Sequence, residues 1–113
     1  MNYSRPFLGK IVNAEIDRKL GSMHPKYDFV YPINYGFVPG TKAPDGAGLD
    51  VYVLGVDTAV EEFEGRCIAI IHRTNDDDDK LVLCGDGESY SDEEIREYTN
   101  FQEQWFESVI IRN

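Results

Sequence analysis

Asp45 and Asp50 stand in the stretch APDGAGLDVYVLG, residues 43–55, where a Pro/Gly-rich turn runs into an alternating apolar segment. A second acidic group, Asp76 to Asp79, lies directly before Lys80 and between two apolar runs. Carboxylates on separate loops, converging beside an ammonium, are the ingredients of a magnesium site facing a phosphate: hard oxygens hold the ion and the cation holds the anion. Like charges about 4 Å apart cost on the order of 4 kcal/mol per pair at an effective dielectric near 20. Convergence therefore calls for bound cations; without them the loops splay into solvent.

The elements that would position these groups can be read from periodicity. Ile11, Asn13, Glu15 and Asp17 alternate with Val12, Ala14 and Ile16, so residues 7–17 suit a half-buried strand. YPINYGFV (31–38) and LDVYVLGV (49–56) read as strands separated by a segment holding Pro39, Gly40, Pro44, Gly46 and Gly48. RCIAIIHR (66–73) and KLVLCG (80–85) are two further aliphatic runs joined by a short loop, which is a hairpin. A symmetric register pairs Ile70 with Leu81 and Ile68 with Leu83 on one side. On the other it pairs Ala69 with Val82 and Cys67 with Cys84.

After residue 90 the period changes. Ser91 with Glu94 forms a capping box, and Asp92 and Glu93 place negative charge at the positive end of a helix dipole. Ile95, Tyr98, Phe101 or Gln102, Trp105 and Val109 recur at helical steps, which predicts one amphipathic helix over about 92–109. Five short strands and this helix predict a mainly β fold: a small closed barrel over about 7–85, capped at one end by the helix, in a single domain spanning 1–113. Asp45 and Asp50 would then share the barrel mouth.

Composition narrows the function classes. The 113 residues carry 21 acidic and 11 basic side chains, a net charge of −10, which repels nucleic acid and anionic membrane surfaces. No apolar run approaches the roughly 20 residues of a membrane span, and no basic segment followed by an apolar core opens the chain. These features point to a cytoplasmic protein that binds neither nucleic acid nor membrane. Cys67 and Cys84 lack metal-ligand spacing and read as buried thiols that could meet across the hairpin.

YPINYGFVPGT, DGAGLDVYVLG, GRCIAIIHR and a D-x-K-L-V strand, in this order, resemble the soluble, magnesium-dependent inorganic pyrophosphatases of the family I type. The resemblance covers residues 9–85 well, and LGSMHP (20–25) is similar to a shorter subset of such proteins. It implies a five-stranded barrel of the oligonucleotide-binding (OB) type, Mg2+ as cofactor and hydrolysis of pyrophosphate or a related phosphoanhydride by a metal-activated water. It also implies a tendency to homo-oligomers, for which the apolar run Val109–Ile111 offers a surface.

Position by position, the resemblance places Asp45, Asp50 and Asp78 as metal ligands. Tyr35 and Lys80 fall where substrate phosphate is bound, and His24 or Lys26 offers a contact where the family supplies an arginine; Lys80 with Asp50 or Glu15, one of which would cover for the missing base, would carry catalysis. Several positions depart from the family's pattern. Ala47 replaces the middle aspartate of the turn, and Asn13 stands where the family has a lysine. A further aspartate falls on Arg73, or on Asn75 or Asp76 if the loop is shorter. The terminal Tyr-Lys pair falls near Trp105 and Phe106. Two readings follow: a pyrophosphatase working with a reduced carboxylate set, or a catalytically impaired barrel that binds a metal, a phosphate compound or a protein partner.

Overall fold

In a computed structural model the chain forms six strands and one α-helix, described for residues 3–43, 46–76 and 78–113. The strands are β1 (Ile11–Arg18), β2 (Tyr35–Val38), β3 (Leu49–Val53), β4 (Glu62–Arg73), β5 (Asp79–Cys84) and β6 (Ser108–Ile111). The helix is α1 (Asp92–Glu103). Sheet order is β1-β2-β3-β5-β4-β6, and an additional β1–β4 pairing closes the first five strands of that order into a barrel. β3 and β5 are parallel, and every other pair is antiparallel.

Alternation along each strand decides which side chains fill the barrel. Val12, Ala14 and Ile16 of β1 turn inward as expected, joined by Val51 and Val53 of β3 and Leu81 and Leu83 of β5 in one aliphatic cluster. The intervening positions Tyr52, Val82 and Cys84 turn outward into a second cluster with Ile71 and Ile95. All of β5 is buried, because α1 covers its outer face. The helix therefore lies along the outside of the barrel instead of plugging one end. The strand whose sequence is apolar at consecutive positions is the one covered on both sides.

Several boundaries differ from the sequence expectation. β1 begins at Ile11, since Pro6 favours a 3-10 turn over Arg5–Phe7. β2 begins only at Tyr35: Pro32 lacks an N–H, and the buried Asn34 side chain ties two loops together, accepting from Leu20 N at 2.9 Å and donating to Thr58 O at 2.9 Å. The β4–β5 register pairs Ile70 with Leu81 and Ala69 with Val82 as expected, but a bulge at Ile68 then shifts it. Cys67 consequently lies opposite Leu83 and joins the inner cluster, while Cys84 joins the outer one. Both are free thiols with a sheet between them, and burial pushes Cys67 up to about 11.

The capping box forms as expected: Ser91 Oγ accepts from Glu94 N, and the Glu94 carboxylate accepts from Ser91 N. The helix stops at Glu103, however, and residues 108–111 form β6 against β4, pairing Ile110 with Ile71 and Ile111 with Ile70. The β-branched run Val109–Ile111 thus completes the sheet edge and is no apolar helix end. Ile110 and Ile111 pack against the outer and inner clusters respectively. Tyr98, expected on the buried helix face, is 45% exposed; Ile95, Thr99 and Glu103 form that face.

Candidate active site

The register of three strands builds the site on the outer barrel face, under the aromatic side of the helix, and not at the barrel mouth. Parallel pairing sets Asp50 of β3 beside Lys80 of β5. Asp78, two residues before Lys80, presents its carboxylate on the same side because side-chain direction repeats every second residue. Lys80 Nζ is hydrogen-bonded to Asp50 Oδ2 and, at 2.8 Å, to Asp78 Oδ2. The D-x-K spacing in the sequence is thus the spacing that clamps one ammonium between two carboxylates.

Tyr35 of β2 sits over this pair, its ring centroid 5.0 Å from that of Tyr52. Burial raises the Tyr35 phenol well above its ordinary value although Lys80 pulls the other way, so it is a neutral O–H donor. Burial pulls the Lys80 pKa down, but Tyr35, Asp50 and Asp78 more than offset it and hold it above lysine's ordinary value. Asp50 is made more basic than an ordinary aspartate, first by burial and further by Asp78, against the opposing pull of Lys80.

The ionic chain continues through Arg73 at the end of β4. Its guanidinium holds Glu103 through Nε at 3.0 Å and a terminal nitrogen at 2.7 Å, and lies 3.6 Å above the ring of Phe106. Its other terminal nitrogen is 3.5 Å from Asp76 and 3.9 Å from Asp78. Glu103 also accepts from Tyr52 at 2.5 Å, and Gln102 donates to Tyr52 at 2.9 Å. Among the described residues, Asp50, Asp76, Asp78 and Glu103 pair with Lys80 and Arg73, four carboxylates against two cations. The excess of two negative charges matches one divalent cation.

A cavity of about 460 Å³ opens on this chain, lined by Lys80, Arg73 and Tyr35 and by the neighbouring rings of Tyr27, Phe29 and Trp105. His24, Gln102 and Phe106 complete its wall. Among the described residues no three His, Cys, Asp or Glu side chains cluster closely enough to hold an ion alone. The donor set nevertheless suits magnesium, which is commonly held by one or two carboxylates plus substrate phosphate and keeps several waters. Asp50 and Asp78 offer such carboxylates.

Other sequence candidates are distributed differently. Asp45 lies outside the described residues. Asp79 turns away from the site, bonded to Ser4 and to His72 Nδ1 at 2.6 Å. Glu15 is exposed in a shallow second cavity with Asn13, Glu62 and Glu64; Phe37 of β2 pairs between it and Asp50, which sets the two strands about 10 Å apart. Lys26 is exposed and does not line the main cavity, whereas His24 does. His24 Nδ1 accepts from the backbone N–H groups of Lys26 and Tyr27 at 3.0 and 3.1 Å, so Nε2 carries the proton of the neutral ring. Burial, then Arg18 and Lys26, lower its pKa and favour that neutral form.

Sequence reasoning did not assign Glu103 and Gln102 to the site and treated Arg73 only as a departure. The available signal was a helix face on which Ile95 and Thr99 are followed by a charged residue. An arginine ending the apolar run IAIIHR was the matching one.

A closed five-stranded OB-type barrel with an acid-clamped lysine under an aromatic-lined cavity on its outer face defines the class of fold. The family model described as "Inorganic pyrophosphatase" matches residues 9–110. The soluble inorganic pyrophosphatase of Zea mays is 35% identical, over 84% of this chain and 46% of its own length. Inorganic pyrophosphatase 1 of Pseudomonas syringae pv. tomato is 33% identical, over 70% of this chain and 48% of its own. Among solved structures, the inorganic pyrophosphatase of Ehrlichia chaffeensis superposes with a TM-score of 0.67 at 20% identity, covering 89% of this chain and 84% of that one. That of Thermus thermophilus gives 0.65 at 20% identity, covering 90% and 82%. The chain belongs to the inorganic pyrophosphatase family. It spans about half the length of the curated relatives it matches.

Proposed function

We propose that this chain hydrolyses inorganic pyrophosphate to two phosphates in the presence of magnesium, at the outer-face site built on Asp50, Lys80 and Asp78. The observation that carries the reading is the clamped ammonium of Lys80 beside Tyr35, in a chain of this family. Asp50 and Asp78 would hold the ion, with Asp45 completing the set from the preceding turn. Bound magnesium would supply Lewis-acid stabilisation of phosphoryl oxygens and a lowered water pKa.

The chain's own groups divide the remaining work. Lys80 and the Tyr35 O–H donate to phosphate oxygens, and neutral His24 adds a donor from the cavity wall. Asp50 takes the proton of the attacking water, for which burial raises its basicity. The water oxygen bonds to phosphorus, the bridging P–O bond breaks, and its electron pair leaves with the second phosphate. Arg73 brings a cation to the cavity from β4, while Phe106 provides a ring beneath it. The base role is assigned to Asp50, which contacts Lys80, over Glu15, which lies one strand further across the same face.

The competing reading, a barrel that binds without turnover, draws on Ala47, which brings no carboxylate to the turn. Phosphate release from pyrophosphate with and without magnesium, by the parent protein and by Asp50→Asn, separates the two. The expected outcome is magnesium-dependent release that the variant loses. No release at any pH would leave the binding barrel.

A further inference from the structure

Building on that reading, we propose that the site's preferred substrate is a phosphoanhydride carrying a flat aromatic ring, a nucleoside di- or triphosphate whose base stacks on the ring cluster of the cavity. The groups lining the cavity differ in kind. Lys80 and Arg73 bring cations, flanked by Tyr35 and Phe106, while Tyr27, Phe29 and Trp105 form a separate cluster of rings in the same lining. Bare pyrophosphate is hydrophilic on every side, and an apolar wall offers its charge only desolvation. A volume of about 460 Å³ falls in the range of sites that enclose ligands of nucleotide size.

Exposure supports the same assignment. Tyr27 and Trp105 are 63% and 61% exposed, although large aromatic side chains ordinarily lie in the core. Their centroids are 6.4 Å apart with planes inclined by 29°, an open wedge, and Phe29 stands 6.2 Å from Trp105. A planar ring at this rim gains stacking area with either wall. His24, whose Nε2 carries its proton, offers a donor suited to the ring nitrogen or carbonyl acceptors of a base. The phosphates then reach Lys80. The water oxygen bonds to the terminal phosphorus, the bridging P–O bond breaks, its electron pair leaves with the nucleoside phosphate, and Asp50 takes the water's proton.

Trp105 is the only tryptophan of the chain, so its fluorescence reports on the cavity directly. The experiment titrates the protein, with magnesium, against the methylene analogue of ADP and separately against methylenediphosphonate, which lacks a base. The expected result is quenching and roughly tenfold tighter binding by the ADP analogue. Tyr27→Ala, at an exposed position, should bring the ratio of the two affinities close to one, and Tyr27→Phe should restore it. Equal affinities in the parent protein would overturn the nucleotide assignment and leave the pyrophosphate reading standing. Binding of neither ligand would overturn both. A stable dimer in sedimentation, with no quenching by the ADP analogue, would assign the rings to a second copy and overturn the proposal.

Discussion

Lys80 and Leu81 are neighbours in β5, yet one joins a chain of ion pairs under an aromatic cavity and the other joins the aliphatic barrel interior. The two faces of this one strand carry different tasks. Inside, Leu81 and Leu83 meet Val51, Val53 and Ile70, with no charge to accommodate, and packing alone supplies stability. Outside, Asp50, Lys80, Asp78, Arg73 and Glu103 occupy space that apolar residues of similar volume would fill at lower free-energy cost. On the proposed site assignment, the barrel interior is left untouched and chemistry is confined to positions one residue out of phase with it.

If that division is right, the inner face should control stability without touching the chemistry. Leu81 is fully buried, and Leu81→Ala should cost about 2–5 kcal/mol in urea unfolding. Phosphate release per folded molecule should remain unchanged, and a fall in that rate would break the comparison. A smaller effect is expected at the far end of the outer chain. Glu103→Gln removes a charge that Arg73 and Tyr52 both contact, and should cost about 1–3 kcal/mol. Urea unfolding of Tyr52→Phe, singly and combined with Glu103→Gln, sharpens the comparison: a cluster acting as a unit should give a double loss smaller than the sum.

Most of the barrel was legible in the sequence because its signals are local. Alternation in β1 marks the inward residues Val12, Ala14 and Ile16, and the unbroken run in β5 marks a strand covered on both faces. The Ser91–Glu94 capping box fixes where α1 starts. Its end was not legible: Gln104 to Glu107 contains no Gly or Pro, and Val109–Ile111 fits either period until the free edge of β4 selects strand. The bulge at Ile68 was equally hidden, since symmetric pairing of the hairpin is locally sound and only the closed barrel shows where the register shifts.

The site was legible to the same extent. Asp50, Asp78 and Lys80 come together because a parallel register and a two-residue step place them, and the D-x-K motif encodes half of that geometry. Arg73 and Glu103 lie 30 positions apart and meet because α1 folds over the outer face; the helical step Ile95, Thr99, Glu103 marks the facing side of α1 but not the partner it meets. Glu15 was placed by its strand alternation, and Phe37 of β2 pairs with both it and Asp50, one strand to either side.

The most direct test of the division between faces is the rate of magnesium-dependent phosphate release by Lys80→Met, measured per folded molecule beside Leu81→Ala. Lys80 is almost fully buried between Asp50 and Asp78, and loss of a preorganised charge at a reacting phosphate costs roughly 10²–10³ in rate. The account predicts a loss of that size for Lys80→Met and an unaltered rate for Leu81→Ala. A folded Lys80→Met protein that turns over pyrophosphate at the parent rate would contradict it.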